Sequence, residues 1–167
     1  MNPQGFLDNI KTFFKSKTIF ANLILVNILV FALVLILEVV FTVFVFENGF
    51  YIDGSGQTHL KLVWSYLSST SDLEAFIGRP WSVITYMFVH EGFGRIFGNM
   101  LTFYFFGRYL EQFLGSRKLL STYLIGGIAG WILYVVGYNF IPMFKAMEHG
   151  PMWGASAAVL ALPLRHI

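Results

Sequence analysis

Residues 81–113 read WSVITYMFVHEGFGRIFGNMLTFYFFGRYLEQF. As one helix this stretch would be about 50 Å long, well beyond the roughly 30 Å hydrocarbon core of a bilayer. It would also hold His90, Glu91 and Arg95 at mid-membrane, where charge is expensive. Gly92 and Gly94 read instead as a break. The stretch then divides into a short amphiphilic helix, Trp81–Val89, opened by Pro80 at a position suited to helix starts, and a true span near 93–113. Arg108 and Glu111 fall near the far end of that span, where Arg can snorkel to water and the two can pair at i,i+3.

The flanks extend the pattern. Ile19 to Leu37 carries no formal charge, is interrupted only by Asn22 and Asn27, and reaches about 28 Å as a helix. Glu38 ends the run, and Val39 to Phe46 reads as an interfacial or re-entrant extension. Leu119 to Ile141 is a further uncharged span, with Gly126 and Gly130 four apart on a face suited to close helix packing. A fourth apolar segment begins near Trp153 and meets Pro163, Arg165 and His166. At about 20 Å from Ala155 to the end it is too short to cross. Ahead of the first span, Phe6, Leu7, Ile10, Phe13 and Phe14 share a helical face, as an interfacial helix does. The reading is an all-α polytopic membrane protein. It has an amphipathic segment at 1–17 and a membrane domain at 18–167. The spans lie at about 19–37, 93–113 and 119–141, with a partial one at 154–167 where the chain stops inside its fourth helix.

Composition supports this class. Of 167 residues, 56% are apolar and 12% charged, about half the roughly 25% charged share of soluble proteins, and the mean hydropathy is +0.66. A net charge of +2 offers no nucleic-acid surface. With no cysteine and four scattered histidines, no metal or cofactor is expected. Lys11, Lys15 and Lys17 precede the first span, and Arg108, Arg117 and Lys118 cluster between the second and third. The long segment 47–92 holds only Lys61 and Arg79. The positive-inside tendency therefore predicts a cytoplasmic N-terminus and a cytoplasmic 108–118 turn.

That orientation brings two distant polar groups to one depth near the outer face. Arg95 and Asn99 are four apart and share a helix face. Ser156, in Gly154-Ala155-Ser156-Ala157, begins a helix, where free backbone N–H groups favour an anion. A hydroxyl opposite an amide donor suits acyl transfer, the serine attacking a carbonyl while Asn99 and the Ser156 N–H stabilise the oxyanion. Small residues ahead of a membrane helix, and a lone Ser or Asn, also fit plain helix packing.

The order of these pieces resembles the rhomboid family of intramembrane serine proteases from about Arg79 to Leu162. Trp81 and Thr85 precede His90. Residues His90 to Asn99 follow the family's His-x4-His-x3-Asn, Gly107-x3-Glu111-x3-Gly115-Ser116 matches the turn into the third helix, and Gly154-Ala155-Ser156-Ala157 resembles its nucleophile motif. The resemblance implies a rhomboid-like helical bundle, embedded in the lipid bilayer, that cleaves other transmembrane proteins near their outer ends. Ser156 would be the nucleophile and Asn99 part of the oxyanion hole. His90 would be a structural or substrate-side residue at the mouth of the site, and Glu111 would hold the cytoplasmic turn.

Two departures stand out. Arg95 replaces the family's second histidine. It could donate to an oxyanion or snorkel outward, and it is longer and permanently charged. The resemblance also implies a catalytic histidine from a helix two spans after the serine, and no such helix follows within these residues. His166 lies on an opposing face of the serine's own helix, His149 and His59 lie in loops, and His90 has another place in the pattern. The chain as written therefore reads as a rhomboid-type endopeptidase without its base. The alternative is a non-catalytic relative that binds transmembrane helices, and a membrane scaffold or transporter fragment ranks last.

Overall fold

The computed structural model describes residues 18–40, 43, 62–145 and 151–164. The expected 1–17 helix, most of the Val39–Phe46 extension and His59, His149 and His166 lie outside the described residues. Ile19–Val40 forms α1. Phe20, Ile24, Asn27, Phe31 and Val34 are buried along one face, at the three-to-four spacing of a helix. The opposite face, with Leu29, Leu33 and Ile36, is exposed and equally apolar, as expected where the surroundings are lipid. Glu38 does not end the helix, which runs on to Val40. One carboxylate leaves the backbone bonding intact, and glutamate is a good helix former.

The segment after α1 is a chain of short helices: α2, Leu62–Leu67; α3, Leu73–Ile77, capped by the Asp72 carboxylate accepting from the Glu74 N–H; and α4, Ser82–Thr85, which passes into a 3-10 turn at Tyr86–Phe88. The last two occupy the expected short helix before the break. Gly92, with φ 147°, then opens the long helix α5, Phe93–Leu114. A β-carbon would be strained at that angle, so glycine makes the break abrupt. The turn at Gly115 leads into α6, Ser116–Phe140. A short α7, Pro142–Lys145, and the half-buried helix α8, Ser156–Leu164, follow. The described residues contain an isolated β-bridge and no strand. α1 and α6 are long and apolar enough to cross a membrane, and α5 matches α1 in length at 22 residues.

The core gathers around α8. Ala155, Ala158, Val159 and Leu162 are fully buried against Tyr86, Met87, Phe103 and Tyr123. The Gly126/Gly130 face closes directly on α8, where an added β-carbon would overlap Ala161 and Ala157 respectively. Small residues on both helices thus let the backbones meet. Two buried polar groups are bonded within the bundle, while Asn27 Oδ1 and Trp131 Nε1 are buried without a partner among the described residues. The Tyr86 hydroxyl donates to the Gly127 carbonyl at 2.6 Å, and the Asn27 amide to Leu23 O at 2.8 Å.

At the other end, Glu111 does not pair with Arg108 as the i,i+3 spacing suggested. Its carboxylate accepts from the Ser116 hydroxyl at 2.7 Å and from the Phe20 N–H at 3.2 Å. Arg108 donates instead to the Tyr104 hydroxyl at 3.0 Å. The orphan N–H at the start of a neighbouring helix is a stronger attraction for a half-buried carboxylate than an exposed arginine.

Candidate active site

The chain approaches α8 under three successive tethers. Met152 and Ser69 exchange backbone hydrogen bonds of 2.8 and 2.9 Å, the Gly154 N–H donates to Tyr86 O at 2.9 Å, and the Ala155 N–H donates to His90 Nε2 at 3.4 Å. All three partners belong to the short-helix segment ahead of α5. That segment is itself knitted by the Thr85 hydroxyl donating to Leu67 O at 2.7 Å and by the Ser69 and Ser82 hydroxyls 3.3 Å apart. Gly154 sits at φ 100°, in the region that favours glycine, and this turns the strand-like approach into the helix.

Ser156 is the first residue of α8. Its hydroxyl donates to Asn99 Oδ1 at 3.1 Å, so residues 57 positions apart meet as the shared depth of the two helix starts predicted. The backbone N–H groups at this end have no intrahelical acceptor by position. A cavity of about 330 Å³ opens beside the pair, between Gly94, Gly98 and Thr102 of α5 and Val159 and Leu160 of α8.

His90 stands behind this site. It is fully buried, with Nδ1 3.2 Å from the Phe88 carbonyl and Nε2 accepting from Ala155. A carbonyl can only accept and an amide N–H can only donate, so the ring is the neutral Nδ1–H tautomer with both nitrogens engaged. Burial pushes its pKa below the ordinary imidazole value, opposed in part by the Phe88 hydrogen bond. The resemblance implied that His90 is a structural or substrate-side residue at the mouth of the site. Its burial puts it behind the serine's loop, because the ring is drawn in to satisfy a backbone N–H that would otherwise be orphaned.

Arg95 lies one turn before Asn99 on α5 and also lines the cavity. Its side chain is 60% exposed and pairs with Glu91 at 3.3 Å, while its guanidinium carbon lies 5.9 Å from the centre of the Trp153 ring. Trp153 was missed by sequence reasoning as a site residue. It precedes Gly154, and no spacing rule ties it to Arg95.

Comparison with known proteins adds the family. A family model for the Rhomboid domain matches residues 78–166, more than half of the chain. The chain belongs to the rhomboid family. It is 32% identical over 99 residues to RHOMBOID-like protein 12, mitochondrial, of Arabidopsis thaliana, an alignment covering 54% of this chain and 30% of that protein. The chain thus spans about a third of the length of this curated relative. The matched rhomboid domain includes His90, Arg95, Asn99 and Ser156. With that membership and its apolar helices, the chain is an integral membrane protein.

Proposed function

We propose that this rhomboid chain carries the nucleophile and oxyanion hole of an intramembrane serine endopeptidase that cuts transmembrane segments near their outer ends. The observation that supports it best is the Ser156 hydroxyl, 3.1 Å from Asn99 Oδ1, at a helix start and open to a cavity. In the reaction Ser156 Oγ attacks the peptide carbonyl and gives its proton to a base. The developing oxyanion takes hydrogen bonds from the Ser156 N–H and the Asn99 amide, each such donor contributing about 2.7–4 kcal/mol. The amine leaves with the proton, and water then hydrolyses the acyl-serine. His90 is not that base, since both ring nitrogens are engaged, and it is the only histidine among the described residues. The rhomboid resemblance implies a histidine base, and in this reading that histidine lies outside the described residues. In this reading the N-terminus and the 108–118 turn are cytoplasmic.

A second reading, a non-catalytic rhomboid that binds transmembrane helices, is favoured by Arg95, which is paired to Glu91 rather than turned to Ser156. Labelling of the full-length protein by a fluorophosphonate separates the two. The endopeptidase reading expects labelling that Ser156→Ala abolishes. Absence of labelling in folded protein, or labelling that survives Ser156→Ala, leaves the binding reading.

A further inference from the structure

Arg95 is the residue that the rhomboid pattern leaves unexplained, and its surroundings suit recognition. Its guanidinium pairs with Glu91 at 3.3 Å and lies 5.9 Å from the centre of the Trp153 ring. It also lines the cavity onto which Ser156 and Asn99 open, so a segment bound in that cavity lies beside both Ser156 and Arg95. Glu91 is bonded at Nη1, whereas a guanidinium offers five N–H donors in a fork that matches a carboxylate. An exposed i,i+4 pair is weak, so an incoming carboxylate can share or displace Glu91 without disturbing the fold.

We propose that Arg95 reads an acidic side chain, Asp or Glu, on the transmembrane segment bound at this cavity. The position read lies within about two residues of the peptide bond presented to Ser156. That register follows from geometry. Arg95 precedes Asn99 by one helical turn, roughly 5–6 Å, and an extended chain advances about 3.3 Å per residue. A phosphate of an anionic lipid shares the chemistry of a carboxylate. Surfaces that read such lipids, however, gather clusters of about 4–8 basic residues, whereas Arg95 has an acidic residue as its ion-pair partner. A single carboxylate on a bound peptide is the better match. The proposal rests on the cavity being where a membrane segment binds, which both functional readings share.

The test uses full-length protein carrying Ser156→Ala in neutral bicelles. It measures the affinity of fluorescent transmembrane peptides in which one residue, Glu, Gln or Lys, is scanned through the outer end of the span. Glu at one or two adjacent positions should bind about tenfold tighter than Gln, the scale of one charge-assisted pair in a partly desolvated site. Arg95→Gln should remove that preference, Arg95→Lys should keep part of it, and Arg95→Glu should turn it toward Lys. Glu91→Gln should strengthen it by freeing the guanidinium. Affinity indifferent to Glu at every position, or a preference that survives Arg95→Gln, overturns the proposal. So does a dependence on Arg95 that emerges only when phosphatidylserine is added and is equal for Glu and Gln peptides, because that assigns Arg95 to lipid. Cleavage by the wild-type protein, followed in parallel, keeps the two readings apart. Charge preference without cleavage ends the endopeptidase reading alone, and cleavage without preference ends this one alone.

Discussion

Helix α8 has glycines on two of its sides. On α6, Gly126 and Gly130 meet Ala161 and Ala157 so closely that a β-carbon on either glycine would overlap the alanine methyl. On α5, Gly94 and Gly98 have open space where a β-carbon would stand and line the cavity beside Ser156. The same residue closes one interface and opens the other. In lipid no hydrophobic force drives apolar helices together, so close backbone approach is what holds α6 to α8. The α5 side trades those contacts for room. Ser156 is therefore carried on a helix packed hard on one side and accessible on the other.

The most severe way to break this contrast is Gly130→Val. Its methyl groups have no path except through Ala157, and because two backbones rather than a flexible side chain must move, the effect should exceed the usual 1–3 kcal/mol of overpacking. The expected outcome is loss of the folded detergent-solubilised protein, or a large drop in thermal midpoint. A Gly130→Val protein as stable as wild type would mean that α6 and α8 do not pack as described.

Gly154→Ala comes next and acts differently. Its β-carbon would lie 3.6 Å from Asn99 Nδ2 and 3.7 Å from Ser156 Oγ, ordinary contacts, so space is not the obstacle. The backbone angle is. Holding alanine at φ 100° should lower stability by about 1–3 kcal/mol and turn the serine out of register. Denaturation and fluorophosphonate labelling should both fall. A drop in labelling alone would mean that the loop relaxes locally.

These positions also mark what was legible in the sequence. The long helices could be placed because a bilayer sets span length and Gly92 interrupts the pattern, although Glu38 does not end the first of them. Ser156 and Asn99 could be paired because two helix starts of like depth face each other. The Gly126/Gly130 face was read as packing, and it packs. Less legible were the partners chosen by long-range backbone groups. Glu111 serves the Phe20 N–H and Ser116 rather than Arg108, and His90 is buried to accept from Ala155. Orphan N–H groups created by tertiary structure attract these side chains, and no local spacing announces where such groups will be.

His90 permits a test of that tethering. His90→Ala leaves the Ala155 N–H unpaired in a buried place, an effect of about 1–3 kcal/mol. His90→Gln can restore an acceptor without titrating. The native pKa is lowered by burial, whereas an unfolded histidine titrates near 6.5. Protonation therefore favours the unfolded chain. The His90 contribution is complete above about pH 6.5 and declines as pH falls below it, until the native ring itself protonates. Wild-type stability should show this acid-side loss and the Gln variant should show less of it. Identical pH profiles for the two would mean that the ring is not held neutral.

The mildest change tests the open side of the contrast. Gly98→Ala adds a methyl group where no atom is within 4 Å, and alanine is favoured over glycine in a helix by roughly 0.5–1 kcal/mol. Stability should hold or rise slightly, against the loss expected on the α6 side. The methyl nevertheless projects into the space beside Ser156 and Asn99, so affinity for a bound transmembrane peptide should fall. Stability and binding would then move in opposite directions at Gly98 and fall together at Gly130. If Gly98→Ala destabilises the protein instead, the α5 face is a packed interface, and the room beside Ser156 is not available to a substrate.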